Sequence, residues 1–256
     1  MDTARPPITL AIEGTIAIAT LDRPPVNAID DAWVARLDAI LDEVEADARV
    51  HVLWIRSATR TFCAGADLAL MRERFATEDG RARMVDLTRA MQKVFARIEH
   101  SPRVSLVEVG GAALGGGLEL ALACDVRIVA DTAKLGLPEA SLGLLPGAGG
   151  TQRLTRLCGD AMARRMIFTA DVVDGRRAAT LGLAQECVPA AELEAAARAL
   201  AERIAAVPTA ALAACKRCIT AAVEGKEDGY AAEVEGTAML YAQGESQALV
   251  RRFLAG

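Results

Sequence analysis

The chain has 256 residues, 52% of them hydrophobic and 25% charged, enough apolar side chains for a substantial core and too many for a disordered chain. A formal net charge of −5, only four lysines and scattered arginines give no footprint for nucleic acid or an anionic membrane surface, so neither is expected as a partner. No apolar run reaches the roughly 18 residues of a membrane span. Segment 1–7 lacks the apolar stretch of a signal peptide, and the six cysteines lie in apolar or helical contexts, so a soluble, cytoplasmic protein with reduced thiols is expected.

Ile8–Ile12 and Ile16–Leu21 flank Glu13-Gly14 as strands flank a hairpin turn. Asp30 or Asp31 can cap a helix in which Trp33, Leu37, Ile40, Leu41 and Val44 recur at spacings of three and four. Val50–Ile55 is a β-branched run that ends in a polar loop at Arg56–Thr61. A helix around Asp86–Glu99 leads to a strand at Val104–Val109, a glycine-rich turn, a helix at Leu118–Cys124 and a strand at Val126–Ala130. Another helix begins at Thr151–Leu157, behind a glycine loop. Beyond Pro189 the chain turns alanine-rich and helical, with helices at Ala190–Val207 and Thr209–Val223 broken at Pro208, and a third from about Tyr230. This predicts an α/β core over 1–195 and a helical tail over 196–256, whose apolar faces must be covered by the core or a neighbour.

Three glycine-containing loops follow predicted strands. In Thr61-Phe62-Cys63-Ala64-Gly65-Ala66-Asp67-Leu68 small residues let a ligand approach backbone N–H groups, although an ordinary strand-to-helix turn capped by Asp67 has the same composition. In Ala113-Leu114-Gly115-Gly116-Gly117-Leu118-Glu119 three glycines precede a helix, at up to about 1 kcal/mol each relative to alanine. An oxyanion site at the helix N-terminus accounts for them, with Glu119 a turn away; so does close helix–sheet packing with a solvated Glu119. In Gly136-Leu137-Pro138-Glu139 a buried carboxylate would have a raised pKa suited to a general acid, and an exposed one would not.

Taken together and in order, these loops resemble those of the enoyl-CoA hydratase/isomerase (crotonase) family, over a stretch from Leu21-Asp22-Arg23-Pro24-Pro25-Val26-Asn27-Ala28 to about Pro189. The resemblance implies a spiral of strand-strand-helix turns with a helical C-terminal trimerisation region, assembling as a homotrimer or homohexamer. It implies an acyl-CoA thioester substrate, with no metal and no cofactor beyond the coenzyme A of the substrate. Ala64 and Gly116 fall on the oxyanion amides, and Glu119 and Glu139 on the two acids that handle water. Arg23, Ala66, Asp67, Leu68 and Gly115 are the further expected contacts to substrate or CoA. Because both acids are present, the resemblance favours hydration of a 2-enoyl-CoA in fatty-acid or amino-acid breakdown. A methylglutaconyl-CoA hydratase and an enoyl-CoA isomerase are the alternatives.

The chain departs from the family pattern in three places. Ala69 stands where relatives often carry a CoA-binding lysine, Gly110-Gly111 where they carry Asn-Gly, and Glu108 lies in a strand where an apolar residue is usual. Cys215 and Cys218 are a single C-x-x-C inside a predicted helix, with no second pair for a metal. Neither histidine, His51 or His100, lies in a glycine loop, and there is no G-x-S-x-G elbow, P-loop or dinucleotide fingerprint. The helix that would carry an RNA-binding role, known in some relatives, holds one lysine, Lys93, among several acids, which argues against it.

Overall fold

The computed structural model describes residues 5–255. Strands β1 (Ile8–Glu13) and β2 (Ile16–Leu21) pair antiparallel around Gly14, whose φ of +60° suits glycine. Helix α1 (Asp31–Ala46) starts at Asp30, whose side chain accepts a hydrogen bond from the Trp33 amide at 2.8 Å. Its buried stripe is the predicted one, with Val34 added. The chain returns through β3 (Val52–Ser57), parallel to β2.

From here the chain passes back and forth between a large sheet and a small one. The large sheet adds β4 (Val104–Val109), β6 (Val126–Ala130) and β9 (Glu186–Val188), all parallel, in the order β1-β2-β3-β4-β6-β9. The small sheet holds β5 (Ala112–Leu114), β7 (Lys134–Gly136) and β8 (Val172–Asp174). Its strands are three residues long, too short to leave a period-two pattern in the sequence. They matter because Leu114 pairs with Gly136, which sets the second and third glycine loops side by side. Cys63 bridges Ala113 in the same way, so the first loop joins them.

Several boundaries differ from expectation. Helix α3 runs over Glu78–His100, beginning two turns before Asp86, because Thr77 caps it by accepting from the Gly80 amide at 2.9 Å. It follows the short α2 (Leu68–Phe75), capped by Asp67, whose Oδ1 accepts from the Ala69 and Leu70 amides. After α4 (Gly116–Ala123), α5 spans Gly150–Phe168 with a break at Gly159, φ 76°. Helix α6 (Gly175–Thr180) precedes β9. The core centres on fully buried Trp33, Trp54, Phe62 and Phe95.

The boundary expected at 195 falls inside α7 (Leu193–Ala205), which packs against β2, β3, β4 and β6. The core therefore continues to about Ala205, and the tail consists of α8 (Thr209–Glu224), α9 (Gly229–Tyr241) and α10 (Gly244–Ala255), the last two separate where a single helix from about Tyr230 is expected. Lys216 of α8 ties the tail to the core by donating to Asp125 (2.7 Å) and to the Ile98 and Arg103 carbonyls (3.1 Å each). Tyr230, Tyr241, Phe253 and Leu254 stay exposed. Among the described residues no single helix is long and apolar enough to cross a membrane; one pair qualifies jointly, bent by 99°, and its first member includes α7 on the sheet.

Glu108 lies in β4 beneath α7, only 7% exposed. Burial raises its pKa and the nearby Arg56 guanidinium, 3.9 Å away, opposes that rise. Arg56 is itself paired with Glu194 of α7 at 2.7 Å and stacks over Trp54. The unusual strand carboxylate is thus matched by a cation brought from its neighbour strand.

Candidate active site

The three glycine loops, α2 and α3 enclose a cavity of about 890 Å³. Ala64, Gly65 and Ala66 form one wall with Gly115 and Gly116; Glu119 and Glu139 stand at its polar end; Met71, Phe75, Met84, Leu87 and Met91 give an apolar wall. Expected wall segments Met71–Phe75 and Asp86–Val94 both contribute, and the extension of α3 adds Arg81, Met84 and Val85. Arg81 is the one basic residue of the lining. Its guanidinium donates to the Phe75 carbonyl at 3.0 Å.

The amide expected of Ala64 is not free. It donates to the Val26 carbonyl at 3.0 Å, and a backbone N–H so engaged cannot also serve a ligand in the cavity. The Ala66 amide is placed differently. Ile29 and Ala66 form a parallel bridge in which Ile29 donates to the Gly65 carbonyl and Asp67 donates to the Ile29 carbonyl, each at 2.9 Å. Alternation along the strand then turns the Ala66 amide to the opposite side, and among the described residues it makes no backbone hydrogen bond. Residue type could not separate two alanines two positions apart; the bridge does.

Gly116 opens α4, where the first amides have no partner within the helix. A Cβ at Gly65 would lie 3.1 Å from the Gly116 nitrogen, so the two loops approach as closely as a side chain would forbid. Gly115 has φ +53°, and a Cβ there would lie 2.9 Å from Glu139 Oε1. The second loop is glycine-rich because both a neighbouring loop and a carboxylate press on it.

Glu119 is 2% exposed. Its Oε1 accepts from the Ala148 and Gly150 amides, at 2.7 Å each. Burial pushes its pKa up to about 7; the Gly150 hydrogen bond opposes this and the Glu139 carboxylate adds to it. Glu139 sits in a 3-10 turn over Pro138–Leu142 and is half-buried, with Oε2 enclosed and without a hydrogen-bond partner. Burial raises its pKa as well. The alternatives of a solvated Glu119 and a surface Glu139 are therefore removed. Two carboxyl groups facing one cavity, both held towards the protonated form, suit proton transfer near neutral pH.

The other expected contacts divide. Ala66, Leu68 and Gly115 line the cavity. Arg23 and Asp67 do not: the Arg23 guanidinium pairs with Asp30 at 2.8 Å and Asp67 at 3.3 Å and donates to the Ala28 carbonyl. With two carboxylates and a carbonyl on it, that cation is occupied in closing the first loop. Among the described residues the one group with the proximity for a metal is Glu99, His100 and Glu224, and its glutamates are already paired with Arg153, Arg156 and Lys226.

Comparison with known proteins gives a consistent result. A family model described as enoyl-CoA hydratase/isomerase matches residues 11–253. A probable enoyl-CoA hydratase of Bacillus subtilis is 42% identical over 69% of this chain and 67% of its own length. A short-chain-enoyl-CoA hydratase of Clostridium acetobutylicum is 36% identical over 83% and 80%. The crystal structure of an enoyl-CoA hydratase from Bacillus anthracis superposes with a TM-score of 0.90 at 30% identity, over 97% of this chain and 96% of that one. Three strand-end loops gathered on one cavity, the two-sheet spiral behind them and a match over nearly the whole length place this chain in the enoyl-CoA hydratase/isomerase family.

Proposed function

We propose that this protein is a 2-enoyl-CoA hydratase that adds water across the 2,3-double bond of a thioester to give a 3-hydroxyacyl-CoA. The observation that carries the reading is the presence of two carboxyl groups, Glu119 and Glu139, on the cavity that also receives the Gly116 amide. Water addition needs a base for the water and an acid for carbon, whereas moving a double bond needs one group that shuttles a proton. In this reading the Ala66 and Gly116 amides hold the thioester oxygen as it gains charge, an interaction whose loss typically costs about 3 kcal/mol in barrier height. Glu119, ionised, takes a proton from water as its oxygen bonds to Cβ. Glu139, protonated, delivers its proton to Cα. Hydroxide and proton together account for one water, and no cofactor beyond the coenzyme A of the substrate is required.

The apolar wall from α2 and α3 favours a hydrocarbon acyl chain. Arg81 supports a second reading, an acyl group that carries its own carboxylate, as in the methylglutaconyl-CoA hydratase alternative. Coverage of the exposed faces of α9 and α10 by neighbouring subunits, in a homotrimer or homohexamer, is part of the same proposal.

Loss of the conjugated-thioester absorbance of crotonyl-CoA tests the reaction directly, with Glu119→Gln and Glu139→Gln alongside. Rapid loss that each substitution suppresses by about 10²–10⁴ supports two-carboxylate hydration. Activity that survives either substitution would point to the isomerase instead, and no reaction with crotonyl-CoA or with longer and branched enoyl thioesters would end the proposal.

A further inference from the structure

Arg153 is a buried cation that touches neither the cavity nor any position proposed for substrate. Only 7% exposed, it extends from the first turn of α5. Its Nε and Nη2 donate to Glu99 Oε2 on α3, at 3.1 and 2.8 Å, and its Nη1 donates to the Ala148 carbonyl at 3.0 Å. Ala148 is the residue whose amide donates to Glu119. One peptide segment is thus gripped from two sides, by the catalytic carboxylate through its N–H and by the guanidinium through its C=O. The segment has no slack: Gly149 has φ +105°, its carbonyl accepts the Gln152 and Arg153 amides, and a Cβ at Gly150 would lie 2.9 Å from Glu119 Oε1.

Charge follows the same geometry. Two carboxyl groups on one cavity oppose each other's ionisation. The hydratase reading needs Glu119 ionised and Glu139 protonated. Burial holds Glu119 towards its protonated form, and the two amide hydrogen bonds and the field of Arg153 oppose that and favour the ionised form. Burial raises the pKa of Glu139 as well, and among the described residues its Oε2 has no hydrogen-bond partner. The charged groups around Glu119 are therefore Glu139 from the 3-10 turn and Arg153 from α5, with Glu99 of α3 balancing Arg153. Behind them, Arg156 shares Glu99 at 3.2 Å, and His100 pairs with Glu224.

We propose that Arg153 is a positioning residue for Glu119: clamped by Glu99, it fixes the Ala148–Gly150 amides on that carboxyl group and favours its ionised form over that of Glu139. The inference rests on the hydratase reading for the roles of the two acids. It assigns to the Glu99–Arg153 pair, remote from substrate, a part in deciding which glutamate acts as base.

The pair makes an unusual demand, because its two halves must act in opposite directions. Removing the cation disfavours ionised Glu119, whereas neutralising Glu99 leaves more of the Arg153 charge to act on it. The test is the pH profile of kcat/KM for crotonyl-CoA hydration in wild type, Arg153→Met, Arg153→Lys and Glu99→Gln. Arg153→Met is expected to move the acid limb up and to lower the maximum at least tenfold. Glu99→Gln is expected to move the limb down. Arg153→Lys keeps the charge without the fork, so its limb should stay near that of wild type while its maximum falls. Limbs that stay fixed, or that move the same way in Arg153→Met and Glu99→Gln, would reduce Arg153 to a structural ion pair.

If Arg153→Met fails to fold, the opposite shift of Glu99→Gln and the lysine variant carry the test. A wild type that hydrates no enoyl thioester defeats the functional reading and not this one. The pH dependence of the stability difference produced by Glu119→Gln, measured in Glu99→Gln and Arg153→Lys backgrounds, then reads the same ionisation without turnover. An unchanged dependence in both would overturn the proposal.

Discussion

Two of the three glutamates with raised pKa values, Glu108 and Glu119, are not equivalent. Glu108, under α7, has Arg56 at 3.9 Å and the Trp54 ring nearby, and it is sealed from the cavity. Among the described residues Glu119 has no ion pair; backbone amides hold one of its oxygens, and it lines the cavity. Burial raises both. The comparison teaches that desolvation alone does not single out a candidate acid or base: what distinguishes Glu119 is orientation by fixed amides, a second acid nearby and a space in which a ligand fits.

Substitution of the two residues sharpens this contrast most. Glu119→Gln should lower kcat by about 10²–10⁴, whereas Glu108→Gln should leave kcat within a few-fold of wild type and change stability by about 1 kcal/mol or less. Steady-state hydration assays and denaturant titrations of both variants check this. The next effect is Gly150→Ala, whose Cβ would meet both Glu119 Oε1 at 2.9 Å and Pro146 Cβ at 2.8 Å. Turning the amide cradle off the carboxylate should cost roughly tenfold to a hundredfold in kcat, in line with a displacement of about 1 Å at a reacting group.

Stability against pH gives the third effect. Because burial holds the Glu119 pKa at about 7, above its ordinary value of 4.5, its ionisation works against the folded state. The favourable contribution is complete below the ordinary value and lost as pH rises through about 7. Glu119→Gln keeps an oxygen for the two amides and removes the charge, so it should match wild type in stability near pH 4 and exceed it by up to about 3 kcal/mol at pH 8. Thermal denaturation across that range decides; a variant less stable at pH 8 would break the account of the shift. The smallest effect is Gly14→Ala, with φ +60° and open space around it, which should cost about 1–2 kcal/mol in stability and leave hydration unchanged.

Much of the core was legible in the sequence. The stripe Trp33, Leu37, Ile40, Leu41 and Val44 and the long strands of the large sheet carry full periods of their element types. The small sheet was not, because three residues carry less than two periods of alternation. Helix α3 was started late because the polar stretch from Glu78 to Arg83 hides a cap at Thr77. That Glu119, Glu139 and Gly116 share one cavity is legible through glycine loops whose order is itself a signal. The engagement of the Ala64 amide is not legible, since it depends on which residue pairs with Val26 and which with Ile29, a tertiary fact with no local trace. The pairing of Arg23 is equally hidden, because its partners Asp30 and Asp67 come from separate turns. The clamp on Arg153 leaves no local trace either, because its partner, Glu99, is 54 residues away.

The most direct test of two-carboxylate water addition follows the solvent oxygen. With crotonyl-CoA in water enriched in oxygen-18, the account predicts product labelled once, at the hydroxyl on Cβ, and formed at a rate that Glu119→Gln and Glu139→Gln each suppress. Consumption of the thioester without label at Cβ, or labelled product that forms undiminished in either variant, would contradict it.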